Sequence, residues 1–389
     1  MIYDVIIIGG GINGLTIAAA LSEHKFNIAL IEKKSIATQL KNSRDGRNIS
    51  IARHSRSILE RYNIWDYIAN GDVGKIDKII ISDAGSTSTL DFDSNIIDGL
   101  PLGFLIESDN ILKGLYAKVS ANKCISLFEE EECESIAFDS KNAHIHLKNG
   151  EHISSKIAII SDGKDSKIRS MLNLPLTRRD YDQVAFVFNI KHEKEHRNYA
   201  YEHFFPNGPF ALLPMQDPHK SSVIWSEDER ASKLDLSKHD LESFLFERCS
   251  ASHGAAEIIS EVLRFPLSLS YMRDYFKNRA VFIGDCLHFI HPLAGQSYNL
   301  SLRDIDVLVN LLVEYSSLGL DIGSQTLLGE FARQRRFDNM SMIGITHSLN
   351  SIFCSRFAPL ESIRRAGIEA IGSMPFLQKF FMNYAMGSV

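Results

Sequence analysis

Three glycines spaced as Gly9-x-Gly11-x-x-Gly14 constrain the fold of this chain more than any other feature. They follow a continuous apolar run, Val5 to Ile8, which predicts a strand covered on both faces, and they precede an alanine-rich helical stretch, Leu15 to Ser22. In such a unit the first glycine permits a tight turn, the second lets the backbone approach a pyrophosphate, and the third lets helix and strand pack closely. The helix N-terminus then offers unpaired N–H groups to the phosphates. The pattern therefore predicts dinucleotide binding rather than a simple glycine-rich turn.

Three further strand ends lead into polar residues. A second apolar strand ends at Glu32, where a carboxylate can accept hydrogen bonds from ribose hydroxyls. Residues 156–160 form an apolar run that leads into Asp162-Gly163, and residues 280–283 lead into Gly284-Asp285. We expect these separated strands to belong to one sheet. The glycine motif itself does not distinguish FAD from NAD.

The length of the chain and a change in pattern along it predict more than one domain. A chain of 389 residues is long enough for about two or three domains. Alternating apolar residues, interrupted by glycine and proline, predict a second sheet that is mostly antiparallel, and the pattern turns helical and amphipathic towards the C-terminus. We therefore predict an α/β fold with a Rossmann-type FAD-binding domain, an inserted mixed β-sheet substrate domain and a helical C-terminal tail. The expected bounds are 1–75, 101–174 and 271–330 for the first domain, 76–100 and 175–270 for the second, and 331–389 for the tail.

Composition excludes several classes of function. A net charge of −6 gives no overall attraction to nucleic acid. No stretch approaches the roughly 18 uninterrupted apolar residues of a membrane span, so any membrane contact should be peripheral. The five cysteines form no CxxC pair, which indicates free thiols in a reducing compartment such as the cytoplasm. The fourteen histidines show no metal-binding pattern, and we expect no metal site.

The segment from Gly284 to Asp304 resembles the signature of the ubiquinone-biosynthesis hydroxylases, a family of FAD-dependent aromatic monooxygenases with the p-hydroxybenzoate hydroxylase fold. The resemblance implies that Gly284 and Asp285 bind the ribitol or ribose hydroxyls of FAD. It also implies that the loop from Pro292 to Ser297 lies against the isoalloxazine ring. The residues expected at the reacting end of the cofactor are Pro292, Gly295, Gln296 and Ser297. A helix starting near Asn299 would point its N-terminus at the flavin edge that becomes negative on reduction.

Two shorter segments carry the same resemblance. Asp162-Gly163 resembles the Asp-Gly motif of the family, which serves both FAD and NAD(P)H binding. Asp45-Gly46-Arg47 matches an Asp-x-Arg segment in which the arginine, here Arg47, approaches the cofactor; a plain surface salt bridge is the alternative. The chain departs from the family at Ser297 and Ser301, where glycine is usual. A serine at Ser297 would cost about 1 kcal/mol if the loop needs a positive φ there.

The resemblance implies a reaction as well as a fold. NAD(P)H or another donor would reduce FAD, O2 would add at C4a of the flavin, and the hydroperoxide would transfer oxygen to the ring of a polyprenylated phenol. Two alternatives stay open. One is an FAD-dependent dehydrogenase or prenyl reductase of the same fold, and the other is a non-catalytic flavin-binding scaffold with partners in a quinone-biosynthesis complex.

Two apolar regions have more than one interpretation. Residues 208–214 and Trp225 resemble strands that line the substrate in this family, although core packing explains their composition equally well. The stretch from Ile352 to Gly387 mixes phenylalanine with arginine and lysine, which suits either a surface lying on a membrane or a helical tail packed on the FAD domain. His288 and His291 are interpreted as residues that position the loop rather than as acid–base groups.

Overall fold

The structure is a computed structural model that describes residues 2–42, 46–69, 71–83, 89–228, 238–353, 364, 367 and 369–387. Within these residues the strands form three sheets, and the predicted α/β class, with a Rossmann-type sheet and a second mixed sheet, is confirmed. The strands are β1 Ile2–Ile8, β2 Ile28–Glu32, β3 Asn48–Ala52, β4 Gly74–Ile76, β5 Lys78–Asp83, β6 Thr89–Asp93, β7 Gly103–Glu107, β8 Ile125–Glu129, β9 Cys133–Phe138, β10 Ala143–Leu147, β11 His152–Ile160, β12 Leu176–His192, β13 Tyr199–Phe205, β14 Gly208–Pro214, β15 Lys220–Asp228, β16 Ala256–Ile258, β17 Leu263–Met272, β18 Phe276–Lys277, β19 Ala280–Phe282 and β20 His288–Phe289. The helices are α1 Ile12–Ser22, α2 Ile36–Asn42, α3 Arg53–Arg61, α4 Trp65–Ile68, α5 Ser108–Ser120, α6 Lys167–Met171, α7 Lys238–His253, α8 Gln296–Ser317, α9 Gln325–Phe353 and α10 Pro375–Met386.

The first sheet contains the strands expected around the glycine motif. Its central order is β18-β19-β11-β1-β2-β8, and β19, β11, β1, β2 and β8 run parallel to one another. The apolar sequences of β1, β2, β19 and the second half of β11 are buried on both faces, as expected of a parallel sheet that is covered by helices, whereas β8 at the end of the sheet is mostly half-buried. Because the strands are parallel, the loops after β1, β11 and β19 leave the sheet at the same edge. Residues far apart in sequence therefore meet there.

The second sheet has nine strands and two different faces. Its path is β20-β17-β12-β15-β14-β13-β5-β6, in which β13 and β5 are parallel and the other pairs are antiparallel. One face packs against α7 through a core that includes Phe186, Phe210, Trp225 and Leu245. Neighbouring side chains on a strand point to opposite faces, so Ala211 and Ile224 lie on the other face. That second face lies towards the edge of the first sheet where the loops emerge.

The long helix α9 joins the two sheets. It starts at Gln325, a few residues before the expected helical region, and packs on α8. Asn350 near its end donates a hydrogen bond of 3.0 Å to Gln183 on β12. Towards its start, Arg335 donates a bond of 2.6 Å to Asp304 of α8. In the described part of the chain, no helix is long and apolar enough to cross a membrane.

Candidate functional site

The three glycines of the motif have different surroundings. Gly9 has a φ of +107°, and a Cβ there would lie 2.4 Å from the carbonyl oxygen of Ser161. A Cβ on Gly14 would lie 1.8 Å from the carbonyl oxygen of Gly9. A Cβ on Gly11 would meet nothing within 4 Å. Gly9 and Gly14 therefore allow the loop to fold against its neighbours, whereas Gly11 leaves the space in front of α1 free.

That space is part of a cleft of about 670 Å³. This volume lies within the range of about 300–1,000 Å³ that is typical of cofactor pockets. Several of the predicted site residues come together on its wall, from segments scattered over the chain. The lining residues are Gly11, Ile12, Asn13, Gln39, Arg47, Asn48, Ile49, Ser50, Ser108, Asp109, Leu112, Ser161, Gly163, Leu213, Ile224, Asp285, Pro292, Gly295, Ser297 and Tyr298.

The carboxylates beside the cleft differ in their hydrogen bonds. Glu32 accepts a bond of 2.6 Å from the N–H of Gly10, so it braces the glycine loop and does not itself line the cleft. Asp162 accepts from the N–H of Ile168 with one oxygen, while its other oxygen is buried without a partner. Burial raises the pKa of Asp162. The side-chain oxygen of Asn13 is also buried and unpaired. These two acceptors suit a ligand that brings hydroxyl or N–H donors.

Asp285 and Ser297 form a hydrogen-bonded pair on the wall of the cleft. The hydroxyl of Ser297 donates a bond of 3.2 Å to Oδ1 of Asp285. Burial raises the pKa of Asp285, an effect that the nearby His288 partly offsets. Gly284, which precedes Asp285, has a φ of +78° and packs against Asn13, where a Cβ would lie 2.3 Å from the side-chain nitrogen. The loop after β19 is thereby held against the start of α1.

The backbone conformation around Ser297 and Ser301, where the family usually has glycine, determines whether serine is strained there. Ser297 lies in the first turn of α8 and is not among the described residues with a positive φ. The loop residue with a positive φ is Gly295, at +60°, where a Cβ would lie 2.8 Å from Cβ of Ser50. The buried hydroxyl of Ser301 donates a bond of 3.1 Å to the carbonyl of Ser297. The backbone at Ser297 thus accommodates serine without strain.

Asn299 and Gln296 have partners elsewhere in the protein. Asn299 donates to the carbonyls of Ser50 and Gly295, both at 2.9 Å, and accepts from the N–H of Ala52 at 2.8 Å. Gln296 donates to the carbonyl of Ala385 in α10. Neither side chain is among those that line the cleft. Asn299 therefore joins α8 to β3, which fixes the position of the loop that does line the cleft.

Arg47 lies on the cleft wall, and its guanidinium group is 5.5 Å from the centre of the Phe265 ring. Asp45, the first residue of the Asp-x-Arg segment, lies outside the described residues. Other cleft residues were not singled out by the sequence, among them Asn13, Ser50 and Tyr298. Asn13 sits inside the glycine motif, so its place could have been inferred. Ser50 and Tyr298 carry no comparable signal.

A second, smaller cavity of about 60 Å³ adjoins the cleft. At the roughly 15 Å³ that one water centre requires, it has room for about four waters. Its residues come mainly from the second sheet and from the Pro292–Gly295 loop. The residues shared by both spaces are Ser50, Leu213, Ile224, Pro292 and Gly295. The others are Ile76, Ile79, Ala200, Tyr201, Glu202, Pro209, Ala211, Ser226, His291 and Leu293.

The two candidates for substrate lining, residues 208–214 and Trp225, have different surroundings. Pro209, Ala211 and Leu213 line the cavity. Trp225 belongs to the core between the second sheet and α7, on the opposite face, and is 2% exposed.

His288 lies outside both the cleft and the cavity, 2.5 Å from Asp304 in the contact between α8 and α9. Although burial opposes it, the charges of Arg335 and His288 keep the pKa of Asp304 below its usual value.

The sequence profile of a family described as an FAD binding domain matches residues 2–336. The chain belongs to this family. It is also 31% identical to ubiquinone hydroxylase UbiL of Rhodospirillum rubrum, over 100% of this chain and 90% of that protein. It is 26% identical to the mitochondrial ubiquinone biosynthesis monooxygenase COQ6 of Homo sapiens, over 99% of this chain and 92% of that protein. The resemblance to the ubiquinone-biosynthesis hydroxylases is thus confirmed.

Solved structures support the fold. The p-nitrophenol 4-monooxygenase PnpA from Pseudomonas putida superposes with a TM-score of 0.80, covering 98% of this chain and 96% of that chain at 16% identity. PqsL from Pseudomonas aeruginosa, described as a probable FAD-dependent monooxygenase, gives a TM-score of 0.78 over 95% of this chain and 100% of that chain, also at 16% identity. At this identity the likeness concerns the fold alone.

The residues present fit FAD, the cofactor of the family. The open space at Gly11 leaves room for a pyrophosphate in front of α1. The unpaired oxygens of Asn13 and Asp162 need donors, which the hydroxyls of a dinucleotide can supply. No group of His, Cys, Asp or Glu side chains within the described ranges is arranged to hold a metal ion.

Proposed function

We infer that this chain is an FAD-dependent monooxygenase that hydroxylates the ring of a polyprenylated phenol in ubiquinone biosynthesis. The proposal rests on the wall that the large cleft and the small cavity share. A cleft of dinucleotide size, with polar groups such as Asp285 on its wall, meets a mostly apolar cavity at Ser50, Pro292 and Gly295. The names of the full-length relatives supply the pathway.

The proposed cofactor contacts follow from where the residues lie. Gly9, Gly11 and Gly14 shape the space for the pyrophosphate, and Arg47, which also lines the cleft, can pair with a phosphate. Glu32 holds the glycine loop through the N–H of Gly10. In the other loops, the groups proposed to contact FAD are Asp162, Gly163, Gly284 and Asp285. When it is bound and reduced, FAD would supply the chemistry that activates O2, and O2 would be the source of the transferred oxygen atom.

The protein's own part in the reaction is positioning and exclusion of water. Pro292 and Gly295 form the boundary between the cofactor cleft and the cavity, so a ring held in the cavity lies next to the proposed flavin end of the cleft. Apolar side chains such as Leu213 and Ile224 keep that boundary dry. The N-terminus of α8 begins at Gln296, and its N–H groups can stabilise negative charge on the reduced cofactor.

The division into domains, which we also propose, agrees with sheet membership. The first sheet takes its strands from 1–75, 101–174 and 271–330, and the second takes nearly all of its strands from 76–100 and 175–270. The exception is β20, His288–Phe289, which extends the second sheet from the segment assigned to the FAD domain. The cofactor cleft lies where the two sets of strands approach one another.

We further propose NAD(P)H as the electron donor and peripheral contact with a membrane. One dinucleotide fingerprint is present in the sequence, so NAD(P)H would bind only transiently. The membrane contact is supported by the exposed phenylalanines of α10: Phe376 is 79% exposed, Phe380 48% and Phe381 41%. A lipid-bound substrate would be met at such a surface.

Oxygen labelling tests the proposed reaction. The purified protein, loaded with FAD, is given NAD(P)H, a phenol with a short isoprenoid chain, and isotopically labelled O2. We expect the label in the ring hydroxyl of the product. Phenol consumption or flavin reduction without incorporated label would favour a dehydrogenase or reductase. Flavin binding without any turnover, also with a chemical reductant as donor, would favour a scaffold. Lipid analysis of a strain that lacks the chain identifies the ring position from the precursor that accumulates.

A further inference from the structure

Glu202 is placed in an unusual position for a carboxylic acid. It lies in β13, directly opposite Ala211 of β14 and Ile81 of β5. All three side chains therefore emerge on the face of the sheet that looks towards the cofactor cleft. Glu202 lines the small cavity and is the one carboxylic acid among the described residues that do so. An acid surrounded by apolar side chains is costly to keep unless it has a function.

The surroundings of Glu202 change its acidity. Burial raises the pKa of Glu202 to about 7, and no neighbouring cation opposes the change. The titratable groups on the same and adjacent strands have other partners. Lys78 forms a salt bridge with Asp91, Asp83 forms one with Arg364, and His203 is hydrogen-bonded to Ser82. A carboxylate with this pKa is a stronger base than an ordinary glutamate and is still substantially ionised at neutral pH.

His291, the residue before the Pro292–Gly295 loop, lines the same cavity. Its ring is 1% exposed, and both ring nitrogens are buried without a hydrogen-bond partner. Burial lowers the pKa of His291 to about 3, so the imidazole is neutral and carries one donor and one acceptor. Its only ring neighbour among the described aromatic side chains is Tyr181, edge-on at 5.3 Å between centroids. Two unsatisfied polar nitrogens beside a cavity call for a polar ligand atom.

We propose that Glu202 and His291 bind the ring hydroxyl of the phenolic substrate, and that Glu202 is the base that takes its proton. The inference rests on the proposed function. In this step the O–H bond of the phenol breaks and an O–H bond forms on the Glu202 carboxylate, with no change of oxidation state. The negative charge on the phenolate oxygen, which His291 can stabilise by donating its N–H, raises the electron density of the ring. The hydroxylated ring carbon then gives its proton to water and the ring becomes aromatic again, while the original oxygen recovers its proton from Glu202, which returns to the carboxylate.

This arrangement explains why the cavity is apolar except at a few points. The ring and its isoprenoid chain need apolar walls, such as Ile79, Ala211 and Leu213, whereas the single hydroxyl needs an acceptor and a donor. A site with polar groups that only the hydroxyl can satisfy rejects analogues that lack it. The same two side chains would therefore set the orientation of the ring and favour phenols over unsubstituted aromatics.

Binding measurements test the hydroxyl site without relying on turnover. The FAD-loaded protein is titrated with a short-chain prenylated phenol and with its methyl ether, using the change in flavin fluorescence. We expect the wild type to bind the phenol at least tenfold more tightly than the ether. Glu202→Gln should reduce this ratio to about threefold or less. If affinities for both ligands fall equally, or neither changes, Glu202 does not contact the hydroxyl and the inference is wrong.

Kinetics test the role of Glu202 as a base. The hydroxylation rate of the wild type should rise with pH through about 7, where Glu202 ionises. In Glu202→Gln this dependence should vanish, and kcat should fall roughly a hundredfold to ten-thousandfold, the usual contribution of a general base, with a smaller change in KM. Glu202→Asp keeps a carboxylate and should retain the pH dependence at a reduced rate. Glu257→Gln, the same change at an exposed position of the same sheet, is the matched control and should behave as the wild type.

The outcomes separate the two proposals. Product formation by Glu202→Gln at the wild-type rate, with the same pH profile, would refute the base and leave the monooxygenase intact. A wild type that distinguishes the phenol from its ether but forms no hydroxylated product would refute the proposed function and leave the hydroxyl site standing. FAD affinity and thermal unfolding of each variant show whether the fold is retained. Should Glu202→Gln fail to fold, His291→Asn decides the question, since it must lower the phenol-to-ether ratio as well.

Discussion

Replacing either Gly11 or Gly14 by alanine adds a methyl group to the same segment, yet we expect one change to affect cofactor binding and the other to affect stability. At Gly11 the backbone is extended, with φ −72° and ψ −175°, which alanine adopts freely, and the new Cβ meets nothing within 4 Å. At Gly14 the new Cβ would lie 1.8 Å from the carbonyl oxygen of Gly9. We expect Gly11→Ala to impair the cofactor site and Gly14→Ala to impair the fold.

The magnitudes follow from these contacts. Gly11 is the N-cap of α1, where alanine costs about 0.5–1 kcal/mol relative to glycine. The methyl group would enter the space assigned to the pyrophosphate and remove one or two charge-assisted N–H bonds, worth about 2–4 kcal/mol together. This corresponds to roughly 30- to 700-fold weaker FAD binding. For Gly14→Ala, the helix-propensity gain of about 1 kcal/mol is small beside the displacement of a backbone carbonyl, for which we expect a loss of about 3 kcal/mol or more.

The assay compares both variants without and with FAD. Thermal unfolding without cofactor should be nearly unchanged in Gly11→Ala and clearly lowered in Gly14→Ala. Flavin fluorescence then gives the FAD affinity of Gly11→Ala, which should fall while the fold persists. Wild-type FAD affinity in Gly11→Ala would refute the placement of the pyrophosphate in front of α1. Wild-type stability in Gly14→Ala would refute the close packing of α1 on the loop after β1.

Three further predictions concern single side chains. Asp285→Ala should weaken FAD binding by about 1–3 kcal/mol, because a ribityl or ribose hydroxyl loses its acceptor; fluorescence titration measures this. Asn299→Ala should lower the free energy of unfolding without FAD by about 2–4 kcal/mol, since it leaves the N–H of Ala52 without its acceptor and removes a donor from the carbonyls of Ser50 and Gly295; chemical denaturation measures this. Relative to the wild type, Glu202→Gln should raise the free energy of unfolding by about 2–3 kcal/mol more at pH 8 than at pH 5. A carboxyl whose pKa is raised to about 7 contributes stability below the usual pKa of glutamate and loses it as the pH rises through 7.

Each of these has a result that would contradict it. Unchanged FAD affinity in Asp285→Ala would remove that carboxylate from the cofactor site. An Asn299→Ala variant as stable as the wild type would mean that water replaces the two bonds between α8 and β3 and the bond to Gly295. If the wild type and Glu202→Gln show the same dependence of unfolding temperature on pH, Glu202 ionises as an exposed glutamate does, and its place in the cavity does not raise its pKa.

Much of the cofactor site could be predicted because its signals are local. The spacing of Gly9, Gly11 and Gly14 between a strand and a helix specifies a tight turn at Gly9, an open approach for a ligand at Gly11 and close packing at Gly14. Asp162 and Asp285 could be assigned to the same place because parallel strands end at a common edge, where the structure has them. The family signature extended this prediction to the Pro292–Ser297 loop.

Other assignments depended on backbone geometry that residue types do not reveal. Ser297 raised a doubt because glycine is usual there, but whether serine is strained depends on φ, and φ is helical at Ser297 and positive at Gly295. Asn299 was expected at the cofactor. Its amide instead has three backbone partners, two of which lie in β3, far away in the sequence.

The sequence by itself determined that this chain has a dinucleotide-binding βαβ unit and which family it belongs to, because each conclusion depends on the residue pattern within a short segment, Gly9–Gly14 for the first and Gly284–Asp304 for the second. Tertiary structure decided which side chains face the substrate. A shift of one residue in strand register moves every side chain to the other face of a sheet, so Trp225 in the core and Ile224 at the cavity are distinguished only by pairing with β14. Glu202 and His291 come from different segments and meet only because β13 and the loop after β20 close over the same small space. Their chemistry arises from that enclosure, since burial is what raises the pKa of one and lowers the pKa of the other.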